Sequence, residues 1–368
     1  MKVRKKNSLG QKQKELVFFV MSLSQPRCIK RVTAFRDVGY HCVVYGYHRG
    51  LYDVNDFPYD IEVRCFGEIK NGDYKNNFKQ IKTDVESVYV QHGKNALYYA
   101  FGFIPSLFFA LKKASYIYEC SDVFYAYPKF NKVRWLLKRV DKWLIGKSKV
   151  TVVTSGGFAE YFAVTDNKKV VVQPNRVSPL LKSFDRSNFS VSNSLSFGFV
   201  GSIRYQNVFR FAEVIGKEFP HHSFHFYGSG DQNTIDRVVS LSLEYANVYY
   251  HGKFKSPEDL PKIYETLNIV VACYDNASLN EQIAEPNKLY ESLFFCKPII
   301  VSPKTYLSKK VLGFSCGFVV DANEYNSIKD FIANLNIDQV NKISTDEKNI
   351  PLSEIIDSPV ELIEKVES

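Results

Sequence analysis

Short apolar runs alternate with helix-length segments along the whole chain. In the first half, runs rich in β-branched and aromatic residues occupy positions 16–21, 41–47, 61–66, 96–101, 116–119 and 150–154. Segments between them, such as 26–38 and 133–147, have the length expected of helices. This alternation is typical of βαβ units, in which crossover helices join parallel strands. The sequence therefore predicts an α/β fold built on parallel sheets.

One turn-rich stretch interrupts the alternation near the middle of the chain. Gln173-Pro174-Asn175 and the Ser/Asn-rich residues 183–196 have little apolar periodicity. Further strand candidates follow at 195–201, 223–227, 248–250, 269–272, 298–301 and 317–320. We therefore expect two Rossmann-like domains facing a central cleft, at residues 1–180 and 181–350. In the remaining segment, 351–368, a helix at 352–366 is expected to pack back across the domain junction.

Positive charge is concentrated in the first half of the chain. Residues 1–180 hold 30 Lys and Arg against 15 Asp and Glu, whereas residues 181–368 hold 18 against 24. A basic half suits an anionic partner, such as the inner membrane leaflet or a lipid-linked pyrophosphate. A generally Lys-rich soluble surface explains the charge equally well. No recognised nucleic-acid-binding module accompanies the charge, so nucleic acid is not expected as a partner.

The cysteines and the apolar stretches indicate a cytoplasmic protein without a membrane span. Seven cysteines form no C-x-x-C pair, which favours free thiols in a reducing compartment. The basic residues 1–14 lack the apolar region of a signal peptide. The longest apolar stretch, 96–111, contains Gly102 and Pro105 and falls short of the roughly 20 residues of a spanning helix. That stretch could form core, line an acceptor groove or contact lipid.

The sequence gives no sign of a metal site or a redox cofactor. Seven histidines include no H-E-x-x-H set, and no Asp-x-Asp triplet occurs. His92, in a polar loop, could line a cleft, although a histidine without a role is the simpler interpretation. The glycine-rich exit Gly228-Ser229-Gly230 is not G-x-G-x-x-G and lacks an acidic ribose ligand at the spacing of a dinucleotide fold. A nicotinamide enzyme is therefore disfavoured.

The ends of the second set of strands carry the first candidate ligand contacts. In doubly wound sheets, ligands bind beyond the carboxyl ends of the strands. Gly201 ends one predicted strand and would let backbone approach a ligand, while Arg204 could bind phosphate oxygens with its planar fork. Gly228 and Gly230 end the next strand. A glycine after a strand is more often only part of an ordinary turn.

The segment Pro286-Asn287-Lys288-Leu289-Tyr290-Glu291 is the most informative. Proline in the first turn, followed by helix formers and ended by Lys297-Pro298, predicts a helix whose N-terminus faces the cleft. Its free N–H groups and partial positive charge suit a pyrophosphate, and Lys288 adds a full charge. Glu291, one turn further in, could accept hydrogen bonds from ribose hydroxyls. The alternative interpretation is a solvated surface helix.

Taken in order, four motifs resemble the C-terminal domain of family 4 glycosyltransferases and their GT-B relatives. They are Phe199-Val200-Gly201-Ser202-Ile203-Arg204, Tyr227-Gly228-Ser229-Gly230, His251-Gly252-Lys253-Phe254, and the segment from Pro286 to Glu291 with Lys297-Pro298. The resemblance implies a GT-B fold without a cofactor or metal, with a UDP-sugar or GDP-sugar as donor. It implies that Arg204 and Lys288 hold the pyrophosphate, that Glu291 binds the ribose and that the Gly252–Phe254 backbone contacts the base.

Two features depart from the family pattern. Many members carry a glycine pair in the first loop, where this chain has Ser22-Leu23-Ser24-Gln25-Pro26. The family's glutamate eight positions before Glu291 is replaced by Ile283, with Glu281 and Glu285 as nearby candidates for the missing group.

Asp122 and Glu119, at the end of a predicted strand, are the candidates for a catalytic base or a ligand of the acceptor hydroxyl. Asp122, beside Ser121, could instead cap a turn.

Two classes of function remain open from the sequence. The first is a metal-independent, retaining glycosyltransferase that acts on a glycan or lipid-linked acceptor in capsule, O-antigen or exopolysaccharide biosynthesis, as the resemblance implies. The second is a non-catalytic GT-B partner or glycan-binding protein, which the two departures favour. Donor hydrolysis would separate these classes.

Overall fold

Two parallel β-sheets organise the protein, one from each half of the chain. The computed structural model describes residues 14–48, 57–70, 73–184, 186 and 194–368. The strands of the first sheet are β1 (Glu15–Val20), β2 (His41–His48), β3 (Glu62–Glu68), β4 (Leu97–Phe101), β5 (Ser115–Cys120), β6 (Val150–Val153) and β7 (Val170–Val172). Their spatial order is β3-β2-β1-β4-β5-β6-β7, and all neighbours pair in parallel.

Helices cover both faces of the first sheet. They are α1 (Pro26–Asp37), α2 (Tyr74–His92), α3 (Phe103–Leu111), α4 (Arg134–Lys147) and α5 (Gly156–Phe162). Short 3₁₀ helices lie at Phe124–Ala126, Pro128–Phe130 and Pro179–Ser183. Alternate residues of β1 enter two separate cores, one shared with α1 and the other with α2 to α5. A strand covered on both faces must be apolar throughout, which is why the first predicted run lacks a polar alternation.

The second sheet repeats this plan with six strands. They are β8 (Ser196–Ser202), β9 (Ser223–Ser229), β10 (Val248–Tyr250), β11 (Ile269–Ala272), β12 (Ile299–Val301) and β13 (Gly317–Val319). Their order is β10-β9-β8-β11-β12-β13, again parallel. The helices of this half are α6 (Gln206–Glu218), α7 (Gln232–Glu244), α8 (Leu260–Glu265), α9 (Leu279–Ile283), α10 (Asn287–Phe294), α11 (Tyr306–Phe314), α12 (Tyr325–Ala333), α13 (Ile337–Glu347), α14 (Leu352–Ile355) and α15 (Val360–Glu367).

The expectation of two Rossmann-like sheets is confirmed, with differences at two places. β7 was not predicted, because its three valines form an apolar run too short to stand out from its neighbours. The last segment is not one helix: α14 and α15 are separated, and Ile356 between them pairs with Val177. Leu362, Ile363 and Val366 of α15 join the core between α1 and the first sheet.

Three sequence-based interpretations depend on where their residues lie. The apolar stretch 96–111 forms β4 and α3, and Phe103, Phe108 and Phe109 are buried, which favours the core interpretation. The linker expected at 183–196 falls largely on residues 185 and 187–193, which lie outside the described residues, as do the basic residues 1–13. The domain limits at 180 and 350 stay predictions. Among the described residues, no helix has the length and apolarity to cross a bilayer.

Candidate functional site

The carboxyl end of β8 and the N-terminus of α10 border a cavity of about 230 Å³. Nine residues line it: Val200, Gly201, Ser202, Phe254, Ser256, Pro286, Asn287, Lys288 and Glu291. Lys288 and Glu291 are the only charged residues among them. The cavity therefore combines backbone, one cation and one anion at the edge of the sheet where ligands of doubly wound domains bind.

Two glycines give this edge its shape. Gly201 and Gly228 are paired in the β8–β9 register and have φ angles of +133° and +136°. A Cβ on Gly228 would lie 1.8 Å from the carbonyl oxygen of Gly201, and a Cβ on Gly201 would lie 2.8 Å from Lys288 Nζ. Side chains at these positions would thus collide with the backbone or with the cation. Gly230 is similarly confined, because its Cβ would lie 2.4 Å from the carbonyl oxygen of Ile203.

The helix α10 presents its N-terminus to the cavity. Pro286 is the N-cap residue and not a residue of the first turn, so the helix begins one position later than the sequence predicts, and no side chain caps it. The N–H groups of a first helical turn have no intrahelical partner, and the helix dipole places partial positive charge there. A pyrophosphate at this position would accept hydrogen bonds from these N–H groups and would be stabilised by the helix dipole. Leu289, in contrast, is fully buried in the core of the second sheet, so its side chain is unavailable to a ligand.

Lys288 is held at the cavity by aromatic rings. Its Nζ lies 4.4 Å from the ring centroid of Phe199 and 5.5 Å from that of Tyr274. Such cation–π contacts stabilise an ammonium group that has lost part of its hydration. Burial lowers the pKa of Lys288 to about 8, against the opposing effect of the Glu291 carboxylate. A bound phosphate would favour the protonated form.

Glu291 is a buried carboxylate with a tyrosine partner. The hydroxyl group of Tyr264, on α8, donates a hydrogen bond of 2.7 Å to Glu291 Oε2. Burial raises the pKa of Glu291, while Tyr264 and Lys288 act in the opposite direction. Tyr264 is itself fixed by stacking on Phe295, with 4.6 Å between the ring centroids. The sequence analysis missed Tyr264, since a tyrosine on an amphipathic helix is an ordinary core residue.

A second cavity, of about 400 Å³, adjoins the first. Its lining comprises Tyr227, His251, Gly252, Lys253, Phe254, Asp259, Lys262, Ile263 and Thr266. Phe254 lines both cavities, so together they form one elongated site. Tyr227 and His251 stack nearly parallel, with centroids 4.2 Å apart. The Gly252 carbonyl accepts a hydrogen bond of 2.8 Å from the Gly228 N–H, which ties this loop to the glycine edge.

The structure places Arg204 apart from the cavity lining. Its side chain is 60% exposed and lies 3.8 Å from Glu281, and it donates a hydrogen bond of 2.8 Å to the Tyr205 hydroxyl. Glu285, the other candidate for the missing family carboxylate, is buried, accepts a hydrogen bond from Tyr290 and lies 3.7 Å from Lys310. Neither glutamate lines the two cavities.

The segment in front of Glu285 contacts the first domain. The Ile283 carbonyl accepts a hydrogen bond from the Ser155 hydroxyl, and a Cβ on Gly157 would lie 2.3 Å from that same oxygen. Asn280 forms hydrogen bonds of 2.9 and 3.2 Å with the backbone N–H and carbonyl of Val123. The position of the family's second glutamate is thus part of a contact between the domains.

The two candidate catalytic residues have different surroundings. Asp122 is exposed and directly precedes Val123, so it lies where the domains meet. Glu119 is fully buried, with Oε1 2.9 Å from Arg27 and Oε2 3.3 Å from Arg31. Tyr99 also donates a hydrogen bond of 2.5 Å to Glu119 Oε2. These contacts occupy the carboxylate and argue against Glu119 as a proton acceptor.

His92 is not at the cleft. Its Nδ1 lies 2.8 Å from Glu15 at the start of β1, and its Nε2 lies 2.8 Å from the Tyr45 hydroxyl. The amino ends of the strands are the opposite edge of the sheet from the cavities. Within the described ranges, no group of three His, Cys, Asp or Glu side chains has the arrangement of a metal site.

Neither a protein-family model nor a curated protein matches the chain, but solved structures do. Sucrose-phosphate synthase of Thermosynechococcus elongatus superposes with a TM-score of 0.73 at 12% identity, over 96% of this chain and 97% of that chain. HepE of Anabaena, in complex with UDP and glucose, gives 0.68 at 14% identity, over 97% and 100%. A glycosyltransferase of Rickettsia africae gives 0.66 at 13% identity, over 97% and 98%. The chain has the GT-B fold. In this fold the elongated site lies in the second of the two Rossmann-like domains, at its edge toward the cleft.

Proposed function

We propose that the protein is a nucleotide-sugar-dependent glycosyltransferase. The observation that carries the proposal is the cavity at the N-terminus of α10, where the cation of Lys288 and the carboxylate of Glu291 lie one helical turn apart. A nucleoside diphosphate requires this combination: positive charge for the phosphates and an acceptor for the ribose hydroxyls. The fold relatives HepE and trehalose-6-phosphate synthase were solved with UDP, UDP-glucose or a fluorinated UDP-glucose. We therefore favour a UDP-sugar over a GDP-sugar.

The two cavities suggest how the donor lies. The diphosphate would contact Lys288 and the first-turn N–H groups of α10, and the ribose would contact Glu291. The base would enter the second cavity, beside the Gly252–Phe254 backbone. Phe254 lines this cavity and the first one as well. Arg204 is exposed and near the domain contact at Glu281, so its role would be to approach the phosphates from the side of the cleft.

Transfer would then proceed without a metal. The bond between the anomeric carbon and the diphosphate oxygen breaks, and its electron pair leaves with the diphosphate. The acceptor oxygen forms the new glycosidic bond, and its proton passes to the departing phosphate oxygen or to Asp122. Lys288 and the helix dipole stabilise the charge that develops on the leaving group. Retention of configuration is favoured by the relative trehalose-6-phosphate synthase, which is described as transferring with retention.

The acceptor would bind in the basic first domain. The excess of Lys and Arg in residues 1–180 suits a lipid-linked pyrophosphate or another anionic glycan carrier. We propose synthesis of capsule, O-antigen or exopolysaccharide at the inner face of the membrane, by a cytoplasmic protein that binds the membrane peripherally.

A non-catalytic GT-B protein is the second candidate. It is favoured by Ile283, which stands where the family carries a glutamate and lies in the domain contact. Slow hydrolysis of donors separates the two, because a glycosyltransferase releases nucleotide and free sugar in the absence of acceptor. We expect release of UDP from at least one UDP-sugar by the native chain and a much slower release by Lys288→Ala. Binding of UDP without hydrolysis of any UDP-sugar or GDP-sugar would support the non-catalytic protein.

A further inference from the structure

Both tryptophans of the chain lie on the outer face of α4. The side chains of Trp135 and Trp143 are 59% and 40% exposed, and Leu136 beside them is 47% exposed. Exposure of large apolar side chains to water is unfavourable, and tryptophan is highly buried on average in folded proteins. Three of them on one helix therefore indicate a surface that is covered in use.

Helical spacing places these residues together with basic ones. Trp135, Arg139 and Lys142 follow one another at intervals of four and three residues, and Leu136, Trp143 and Lys147 continue the same side of the helix. The guanidinium group of Arg139 lies 5.0 Å from the ring centroid of Trp135. The opposite side of α4 is buried in the first domain through Asp141, Leu144 and Ile145. We call the outer side, residues 135, 136, 139, 142, 143 and 147, the tryptophan face.

Positive charge predominates in the segment that carries the tryptophan face. Residues 123–159 contain eight Lys and Arg and a single acidic residue, Asp141. Asp141 is buried and accepts hydrogen bonds of 2.6 and 2.8 Å from the hydroxyl groups of Tyr118 and Tyr125. No carboxylate of this segment therefore offsets the cations at the surface. The six exposed basic residues of the segment are Lys129, Lys132, Arg139, Lys142, Lys147 and Lys149.

We propose that the tryptophan face docks the protein on an anionic lipid leaflet. Tryptophan favours the headgroup level of a bilayer, and an amphipathic helix with Trp, Leu and Lys/Arg on its outer side lies in that interface. The face is a convex helix surface, and its aliphatic Leu136 offers nothing to a nucleic-acid base. The excess of exposed cations in this segment complements anionic lipid. The membrane attachment in the proposed function motivates this docking, but the docking can be measured without any sugar transfer.

The tryptophans themselves report the contact. Because the chain contains two tryptophans and both lie on this face, fluorescence excited selectively at tryptophan, and not at tyrosine, reports on the proposed surface. We expect vesicles of equimolar phosphatidylglycerol and phosphatidylcholine to shift the emission to shorter wavelength. Phosphatidylcholine brominated on its acyl chains should quench it. Vesicles of pure phosphatidylcholine should give little change, and the response should weaken at high salt as the Debye length falls to about 3 Å at 1 M.

A pair of double variants tests the location. Arg139→Gln with Lys142→Gln removes two cations from the face, which at about fivefold per charge should weaken vesicle binding about 30-fold. The control, Lys79→Gln with Lys82→Gln, removes two exposed lysines from α2 and should bind within about twofold of the native chain. Both variants should bind UDP like the native chain, because neither pair lines the cavities.

Several results would overturn the proposal. They are an unchanged emission with anionic vesicles, an equal response to neutral vesicles, and equal losses in the two double variants. Self-association that is lost in Trp143→Ala, with no vesicle response, would assign the face to a protein interface instead. Failure of the native chain to bind any nucleotide would contradict the proposed function and would leave the vesicle result standing.

Discussion

Two buried carboxylates lie near the carboxyl edges of the two sheets, and their surroundings differ. Glu119 of the first sheet is 0% exposed and is contacted by Arg27, Arg31 and Tyr99. Glu291 of the second domain is 7% exposed, borders a cavity and accepts a hydrogen bond from the Tyr264 hydroxyl. The Glu119 carboxylate is fully engaged by contacts within the protein, whereas the Glu291 carboxylate can also accept hydrogen bonds from a ligand in the cavity. Position at a strand end therefore does not by itself make a carboxylate functional.

The contacts of Glu119 extend across the molecule. Arg31, which pairs with Glu119, also lies 3.5 Å from Asp357 in the C-terminal segment, and Lys30 lies 3.6 Å from the same carboxylate. Gln173 donates a hydrogen bond of 2.7 Å to Asp357. Burial lowers the pKa of Lys30 against the effect of Asp357. The network joins α1, the first sheet and the segment before α15, so we assign Glu119 to holding these parts together.

The largest effect we expect is loss of stability in Glu119→Gln. Removing the charge leaves Arg27 without its anion and the buried Arg31 with Asp357 alone, and breaking a buried pair costs about 3–5 kcal/mol of unfolding free energy. Denaturant unfolding followed by circular dichroism measures it. Glu86→Gln is the control, since its pair with Lys112 is exposed on both sides and should contribute less than about 1 kcal/mol. Equal stability in the two variants would contradict the structural role.

Glu291→Gln should have little effect on stability and a large effect on UDP binding. Because burial deprives the Glu291 carboxylate of hydration and raises its pKa, and a neutral amide avoids that cost, the variant should fold with a loss of about 1 kcal/mol or less. Its affinity for UDP should fall about 10- to 150-fold, because charge-assisted hydrogen bonds to the ribose are lost. Titration calorimetry checks this, with Glu281→Gln, outside both cavities, as the matched control. An unchanged affinity in Glu291→Gln would remove the ribose assignment.

Lys288→Ala should weaken UDP binding over a similar range, about 10- to 150-fold, as expected for one cation in a partly desolvated phosphate site.

The contribution of Lys288 to UDP binding should depend on pH. Since burial lowers the pKa of Lys288 to about 8, its charge disappears as the pH rises through that value, while the diphosphate stays ionised. UDP affinity should therefore fall between about pH 7 and 9.5. Lys288→Arg should abolish this fall, because a guanidinium group keeps its charge. A flat profile in the native chain would exclude Lys288 from the phosphate contact.

Arg204→Ala should have the smallest effect on UDP binding. The sequence alone assigns Arg204 and Lys288 equal weight, but the Arg204 side chain is 60% exposed. Exposed charged contacts contribute about 0.2–1 kcal/mol, which corresponds to a loss of about fivefold or less. A loss as large as that of Lys288→Ala would mean that Arg204 closes over the phosphates in the bound state. Calorimetry of the two variants side by side decides between these outcomes.

The sequence predicted the parts of the fold that follow from local patterns. Alternating apolar runs located both sheets, and Pro286 with the helix formers after it located α10 to within one residue. Contacts between distant segments could not be predicted in this way. Packing between elements far apart in the chain determines three such features: the ion pair of Arg31 with Glu119, the hydrogen bond of Tyr264 to Glu291 and the exposure of Trp135.

The measurement that tests the central claim most directly is a crystal structure with UDP bound, with GDP as the second nucleotide to try. Our account predicts the diphosphate at the N-terminus of α10, in contact with Lys288 Nζ, and the ribose hydroxyls within hydrogen-bonding distance of Glu291. It predicts the base in the second cavity beside Phe254. A nucleotide bound elsewhere on the chain, with residues 286–291 unoccupied at saturating concentration, would contradict the proposed donor site.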